Sequence, residues 1–215
     1  MITLALEFSS AQRSAAVARD GKVLAAAVET GGFRVTNAFS LISQVLAQSG
    51  IAREHIEVIA VGLGPGSYTG IRSAIAVAQG WQLARPIKLL GISSVEAIAA
   101  RAQTDGIHGR VNIAVDAQRE EFYLATWELS PNHRQEISPL HLIPGSELTR
   151  RVAVGEIFIG PDFDVPAGRK VFPDAATVAQ LANSRTDFVS GSKLEPIYLR
   201  ETSFVKATPA ARIIH

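Results

Sequence analysis

Residues 62–84 read GLGPGSYTGIRSAIAVAQGWQLA, and a largely apolar run of strand length, 56–61, precedes them. Between that run and the long segment that follows lies a glycine turn, Gly64-Pro65-Gly66-Ser67-Tyr68-Thr69-Gly70. A strand, a glycine turn and a helix in series offer helix N-terminal amides to an anion. Residues 71–84 are apolar nearly all round, and only Arg72, Gln79 and Gln82 form a narrow polar line. Gly70, Ser73, Val77, Gly80 and Ala84 would fall along one face of small residues that lets another helix approach closely. A helix with so little polar surface is either deep in a core or sandwiched between its own sheet and a partner.

Upstream, 3–8 is a short apolar strand ending in Glu7, 14–19 a second, and Asp20-Gly21 a hairpin signal that returns the chain along 22–28. Gly31-Gly32 breaks the pattern. Thr36 or Asn37 can cap a helix running to Ser49, with Gly50 as its stop. On it Phe39, Ile42 and Leu46 share a face that Leu41 and Val45 widen, and Ser40, Ser43 and Ala47 form the other. No charged residue occurs from Val35 through Ala52, which hints at a covered surface, while partial burial within a monomer would read the same way. Downstream, 89–92 is a strand, and Ser93 or Ser94 caps a helix carrying Glu96.

The first half therefore reads β-β-β-α-β-α-β-α. The polar segment 104–110 is a boundary between an N-terminal unit, 1–103, and a C-terminal one, 104–215. The second unit opens as the first does: IAVDAQREE, like LALEFSSAQ, is an apolar strand ending in an acid, a small or polar turn and a returning strand. A Pro- and His-containing loop, a helix from Ser146, a strand at 157–159, a helix at 174–183 and an extended tail at 195–200 complete it. The expected fold is α/β, a duplicated ribonuclease-H-like unit in two lobes, the architecture of actin-like ATPases.

Composition narrows the function. With 21 basic and 20 acidic residues the net charge is +1, without the basic excess of a chain that grips nucleic acid by itself. There is no cysteine, so neither disulfides nor thiolate metal sites are available. No uncharged apolar run reaches the ~20 residues of a membrane span, and the chain reads as soluble and cytoplasmic.

Each candidate motif has two readings. The loop residues Gly64, Gly66, Ser67 and Thr69 could seat a phosphate, but the Lys that ends a Walker loop is missing; equally, the glycines allow positive φ and close helix–strand packing. Glu7 and Asp116, at equivalent strand ends, could hold Mg²⁺ through water or bond a neighbouring turn, and the lack of an adenine pocket in the second half favours the turn. His55, His108, His133, His141 and His215 fall in loops, turns or the tail at no metal-ligand spacing, so no metal is expected. Ser67 is not in a G-x-S-x-G elbow, so no hydrolase nucleophile is expected.

The 62–80 stretch closely resembles the signature of the TsaB family of tRNA threonylcarbamoyladenosine biosynthesis proteins, formerly YeaZ. LALEFSS at 4–10, LGISSVEAIA at 90–99, IAVDAQREEFY at 113–123 and PIYLRE at 196–201 resemble further family segments, in order. The resemblance implies an actin-like two-lobed fold and a non-catalytic subunit that supports TsaD, the paralogue that transfers the threonylcarbamoyl group to the adenosine beside the anticodon of tRNAs reading A-starting codons. TsaD carries an H-x-x-x-H motif that this sequence lacks. The family's partner helices correspond to 36–49 and 70–84, which places Phe39, Ser40, Ser43, Ala47, Gly70, Ser73, Ala74, Val77, Gly80 and Trp81 at an interface with TsaD or a second copy of the chain. It further implies TsaE as an associated ATPase, TsaC as the source of threonylcarbamoyl-adenylate, tRNA reached through the complex, and no cofactor of its own, with ATP and Mg²⁺ entering only in the complex. A stand-alone ATPase using Glu7, Asp116 and the 64–70 loop is the rival. The family usually has Asp where Glu7 stands, and often a His before the first helix, where this chain has Arg34, Val35 and Thr36.

Overall fold

A computed structural model describes residues 1–30, 38–162 and 168–199. In the first lobe β1 (Ile2–Glu7), β2 (Gln12–Arg19), β3 (Lys22–Thr30), β4 (Val58–Gly62) and β5 (Lys88–Ile92) form a sheet in the order β3-β2-β1-β4-β5. In the second, β6 (Gly109–Asp116), β7 (Glu121–Ser130), β8 (His133–Pro144), β9 (Phe158–Gly160) and β10 (Gly168–Lys170) give β8-β7-β6-β9-β10. The two orders are the same: each first strand runs antiparallel to the second and parallel to the fourth. The faint repeat of strand, acid and return is thus a duplication of the whole sheet, as the ribonuclease-H-like expectation requires.

Alternation sends β1 to two cores. Leu4, Leu6 and Phe8 face α1 (Ala38–Ser49) and α2 (Tyr68–Ala84), which lie on one side of the first sheet. Ala5 faces the other side, where α3 (Ser94–Thr104) and α5 (Ala175–Ala182) pack with Val58, Ala60, Leu90 and Ile92. α3 also turns Val95, Ile98, Ala99 and Ala102 to the second sheet, against Val111, Ile113 and Val115. It is therefore the layer between the sheets, and α5, from the second half of the chain, closes the first sheet. Small residues make this possible: Ala97 and Ala100 meet one sheet and Ala99 and Ala102 the other, so both backbones approach closely. α4 (Gly145–Ala153) covers the outer side of the second sheet with Leu148 over Leu124, Ile143 and Phe158.

Several elements differ from expectation. Residues 133–144, expected as a loop, form the twelve-residue edge strand β8, so His133 and His141 lie on a strand. The hydrophobic period is masked there because an edge strand is wetted on several sides, and Pro139 sits where the register with β7 slips, a place where no ladder N–H is needed. Asp20 and Gly21 take φ of 50° and 77°, the expected primed hairpin. The expected cap at Thr36 or Asn37, the break at Gly31-Gly32, Arg34 and Val35, and the end of the tail segment from Arg200 lie outside the described residues. Among the described residues no helix is long and apolar enough to cross a membrane.

Candidate functional site

The outer faces of α1 and α2 form the first candidate surface. On α1, Ala38, Leu41, Ile42 and Val45 are buried against the sheet, while Ser40, Ser43, Gln44, Ala47 and Gln48 are exposed. Phe39 was expected on the same face as Ile42, but it points outward and is 64% exposed. On α2 the outward line is Thr69, Arg72, Ala76, Gly80 and Leu83, with Ser73 and Val77 half-buried beside it. Leu83 is 90% exposed. Two of the residues expected at the interface are placed elsewhere: Gly70 and Ala74 are buried, facing β1 and the first core. Trp81 is half-buried and packs on that core. The small-residue face inferred from Gly70, Ser73, Val77 and Gly80 is therefore rotated: its inner edge belongs to the protein's own sheet. Gln79 and Gln82 do not face outward with Arg72; both bond Gly191 of the C-terminal segment, Gln79 Nε2 to its carbonyl at 2.8 Å and Gln82 Oε1 from its N–H at 2.8 Å. Arg72 is the single charged residue on the two helices. The sequence pointed to both helices through their missing charge but passed over Leu83, whose signal was its helical spacing from Ala76 and Gly80.

The glycine turn is occupied by packing. Gly64 and Gly66 have φ of 86° and 144°, values that suit glycine. A methyl carbon on Gly66 would stand 2.1 Å from the Ser9 carbonyl oxygen, and one on Gly70 would stand 2.0 Å from that of Phe8. The turn thus lies directly on the end of β1. The Ser67 N–H donates to the Ser9 carbonyl at 2.7 Å, and Ser67 Oγ caps α2 by accepting from Gly70 N–H at 3.3 Å. The Ser67 and Gly70 amides are engaged inside the protein, and the close approach to β1 requires glycine at 66 and 70.

Glu7 and Asp116 are not brought together in one site. Glu7 is wholly buried; its carboxylate accepts from Ser9 N–H at 2.7 Å and from Ser94 Oγ at 2.8 Å. Ser94 Oγ in turn accepts from Gly64 N–H at 3.0 Å. One side chain thereby ties together the end of β1, the glycine turn and the start of α3. Burial, only partly offset by these hydrogen bonds, holds the Glu7 carboxyl above the ordinary carboxylate range. Asp116 instead bonds its own turn, accepting from Gln118 N–H at 2.7 Å and from Gln118 Nε2 at 3.0 Å.

Between the lobes is a cleft of about 590 Å³ whose lining includes Ser9, Ser10, Arg13, Ser67, Asp116 and Asp162. Desolvation, together with the nearby Asp116 charge, pushes the Asp162 carboxyl up, although an Asp116 backbone hydrogen bond opposes this. Arg13 and Asp162 were not singled out in the sequence, since nothing local marks them; duplication of the fold brings them to one opening. Among the described residues no group of three or more His, Cys, Asp or Glu is placed to hold a metal ion.

The comparisons with known proteins agree with this architecture. The family described as TsaD, tRNA N6-adenosine threonylcarbamoyltransferase, matches residues 35–142. The tRNA threonylcarbamoyladenosine biosynthesis protein TsaB of Escherichia coli is 30% identical over 132 residues, 61% of this chain and 57% of that protein. Its counterpart in Haemophilus influenzae is 33% identical over 87 residues, 40% of this chain and 36% of that protein. YeaZ from Pseudomonas aeruginosa superimposes with a TM-score of 0.77 at 25% identity, over 92% of this chain and 99% of that structure. The chain belongs to the family described as TsaD, tRNA N6-adenosine threonylcarbamoyltransferase, and within it is similar to the TsaB and YeaZ proteins. Its matches span a little over half the length of the Escherichia coli TsaB and about a third of the Haemophilus one. Where the resemblance led to an expected Asp, this chain has Glu7, and the structure supplies the reason the longer acid fits. A methyl carbon on Gly62 would lie 1.8 Å from Glu7 Oε2, so the extra methylene of Glu7 extends into space that only a glycine at 62 leaves open.

Proposed function

We propose that this TsaB-family chain takes part in tRNA threonylcarbamoyladenosine biosynthesis as a non-catalytic subunit, and that the outer faces of α1 and α2 bind TsaD. The observation that carries the reading is the surface itself: helices of 12 and 17 residues share Arg72 as their single charge and display Phe39 and Leu83. A solvated helix pair ordinarily carries charge on its outward line, and exposed apolar surface of this kind marks interaction sites. Gly80 and Ala76 at its centre leave room for a partner helix. In the absence of TsaD the same face pairs with a second copy of the chain, which keeps its apolar residues covered. TsaE joins the assembled pair, tRNA is reached through the complex, and ATP with Mg²⁺ belongs to that complex and not to this chain alone. The rival reading, a stand-alone ATPase, needs Glu7 and Asp116 facing one ligand, whereas Glu7 is sealed beneath Ser9 and Ser94.

The test is copurification. Leu83→Asp and Ser73→Arg each bring an unpaired charge to the face at positions that are 90% exposed and half-buried, so the fold is retained. A charge buried unpaired at an interface costs about 2–5 kcal/mol, so affinity for TsaD is expected to fall at least about thirtyfold. The melting midpoint is expected to hold. Retention of TsaD by both variants would place the interface elsewhere. Saturable ATP binding by the isolated chain in calorimetry would favour the rival.

A further inference from the structure

The cleft between the lobes holds charges that the protein itself leaves unmatched. Arg13, near the start of β2, is half-buried and lines the first-lobe wall. The other half-buried arginines among the described residues, Arg85, Arg134, Arg151 and Arg185, each donate hydrogen bonds inside the protein. Arg13 makes neither a hydrogen bond nor an ion pair among the described residues, although Glu29 stands opposite it on β3. A half-buried guanidinium ordinarily recovers its lost hydration from an acceptor, and here the acceptor has to come from what fills the cleft.

The second-lobe wall is acidic. Asp116 and Asp162 line the same cleft, and neither forms a salt bridge among the described residues. Tyr123, on β7, also lines it and is 7% exposed, and its hydroxyl has no hydrogen-bond partner among the described residues. A phenol so deeply buried ordinarily finds a partner. On the first-lobe side Ser67 Oγ accepts from Gly70 N–H and keeps its own hydrogen to donate. Beside it Tyr68 forms an aromatic wall, stacked on Tyr198 with centroids 5.4 Å apart and planes at 26°.

We propose that the interlobe cleft binds a small zwitterion, a molecule carrying an ammonium and a carboxylate group, with the carboxylate on Arg13 and the ammonium against Asp116 and Asp162. The hydroxyls of Tyr123 and Ser67 serve its remaining polar atoms. The volume of about 590 Å³ is that of a small-molecule site. The charge pattern selects the class. A polyanion such as a nucleotide would meet one cation and two carboxylates that repel it. The Ser67 and Gly70 amides of the glycine turn are already engaged and do not offset that repulsion. A simple anion leaves both acids unmatched, and a simple cation leaves Arg13 unmatched. A zwitterion satisfies both walls, whatever partner covers α1 and α2.

The test titrates the full-length protein with glycine, glycylglycine and triglycine, which carry the two charges at increasing separation, and follows backbone amide shifts by NMR. At least one is expected to saturate with a Kd on the order of 1 mM, as suits so small a ligand. N-acetylglycine and glycinamide, which each keep one of the two charges, are expected to bind roughly tenfold or more weakly. Arg13→Gln and Asp162→Asn should each weaken the best zwitterion by roughly tenfold or more, and Tyr123→Phe, which keeps the ring, by roughly two- to tenfold. A thermal melt checks that each variant is folded. The proposal is overturned if none of the three zwitterions saturates, if N-acetylglycine or glycinamide binds as well as they do, or if the folded Arg13→Gln and Asp162→Asn variants bind within about twofold of the parent.

Discussion

Gly70→Ala is expected to cost about 3 kcal/mol of unfolding free energy in a urea titration, a large fraction of the about 5–15 kcal/mol that holds a domain of ordinary stability together. The added carbon would stand 2.0 Å from the Phe8 carbonyl oxygen. That oxygen belongs to the end of β1, a strand with partners on both sides, so it cannot yield as the tip of a flexible side chain would. The first turn of α2 would have to lift, breaking the Ser67 cap and the bond from Ser67 N–H to the Ser9 carbonyl. Gly80→Ala provides the contrast within the same helix. Nothing lies within 4 Å of the added carbon there, and replacing a helical glycine by alanine gains about 0.5–1 kcal/mol. The two variants should therefore shift the midpoint in opposite directions. An unchanged midpoint for Gly70→Ala would mean that α2 does not rest on β1 as described.

Raising the pH should destabilise the protein on account of Glu7. In the unfolded chain a glutamate ionises near about 4.3. In the folded protein burial holds the Glu7 carboxyl above that value, against the hydrogen bonds from Ser9 and Ser94, and Asp174 nearby adds to the effect. Below the unfolded value both states are protonated and the contribution of this group is complete. As pH rises from there towards the folded value, the unfolded state releases its proton first and stability falls, by about 1.4 kcal/mol for each pH unit separating the two. Glu7→Gln keeps the shape and cannot ionise, so its urea midpoint should vary less between pH 5 and pH 8 than that of the parent. A parental pH dependence in Glu7→Gln would assign the loss to another group. The same site yields a coupling. Gly62→Ala drives a carbon into Glu7 Oε2 and should cost about 1–3 kcal/mol. In a Glu7→Asp background the shorter acid withdraws from that carbon, and the cost should shrink by about 1 kcal/mol or more.

The first lobe was legible because its signals are local. Uninterrupted apolar runs, one Asp-Gly hairpin and a glycine turn between strand and helix specify β1 to α2 without reference to anything distant. β8 was not legible, since Pro139 and a half-wetted edge remove the period that identifies a strand. The partner face was legible as an absence of charge on two helices, but its orientation was not. Helical periodicity alone does not tell which side of a nearly uniform helix meets its own sheet. Burial of Gly70 and Ala74 turned that face on α2 towards Ala76 and Leu83, and burial of Ala38, Leu41, Ile42 and Val45 on α1 left Phe39 outward. The cleft was hidden for a different reason: Arg13, Asp116 and Asp162 are far apart in the chain and meet only where two sheets face each other.

The amino-acid sequence alone determined the duplicated α/β architecture, because apolar period, turn residues and the paired strand-end acids are properties of neighbours along the chain. Tertiary structure alone decided that Glu7 is a sealed strut, that Asp116 lines the cleft without it, and that Tyr198 reaches Tyr68. Each of those outcomes depends on which distant backbone occupies the space beside a side chain, and a linear pattern carries no record of that space.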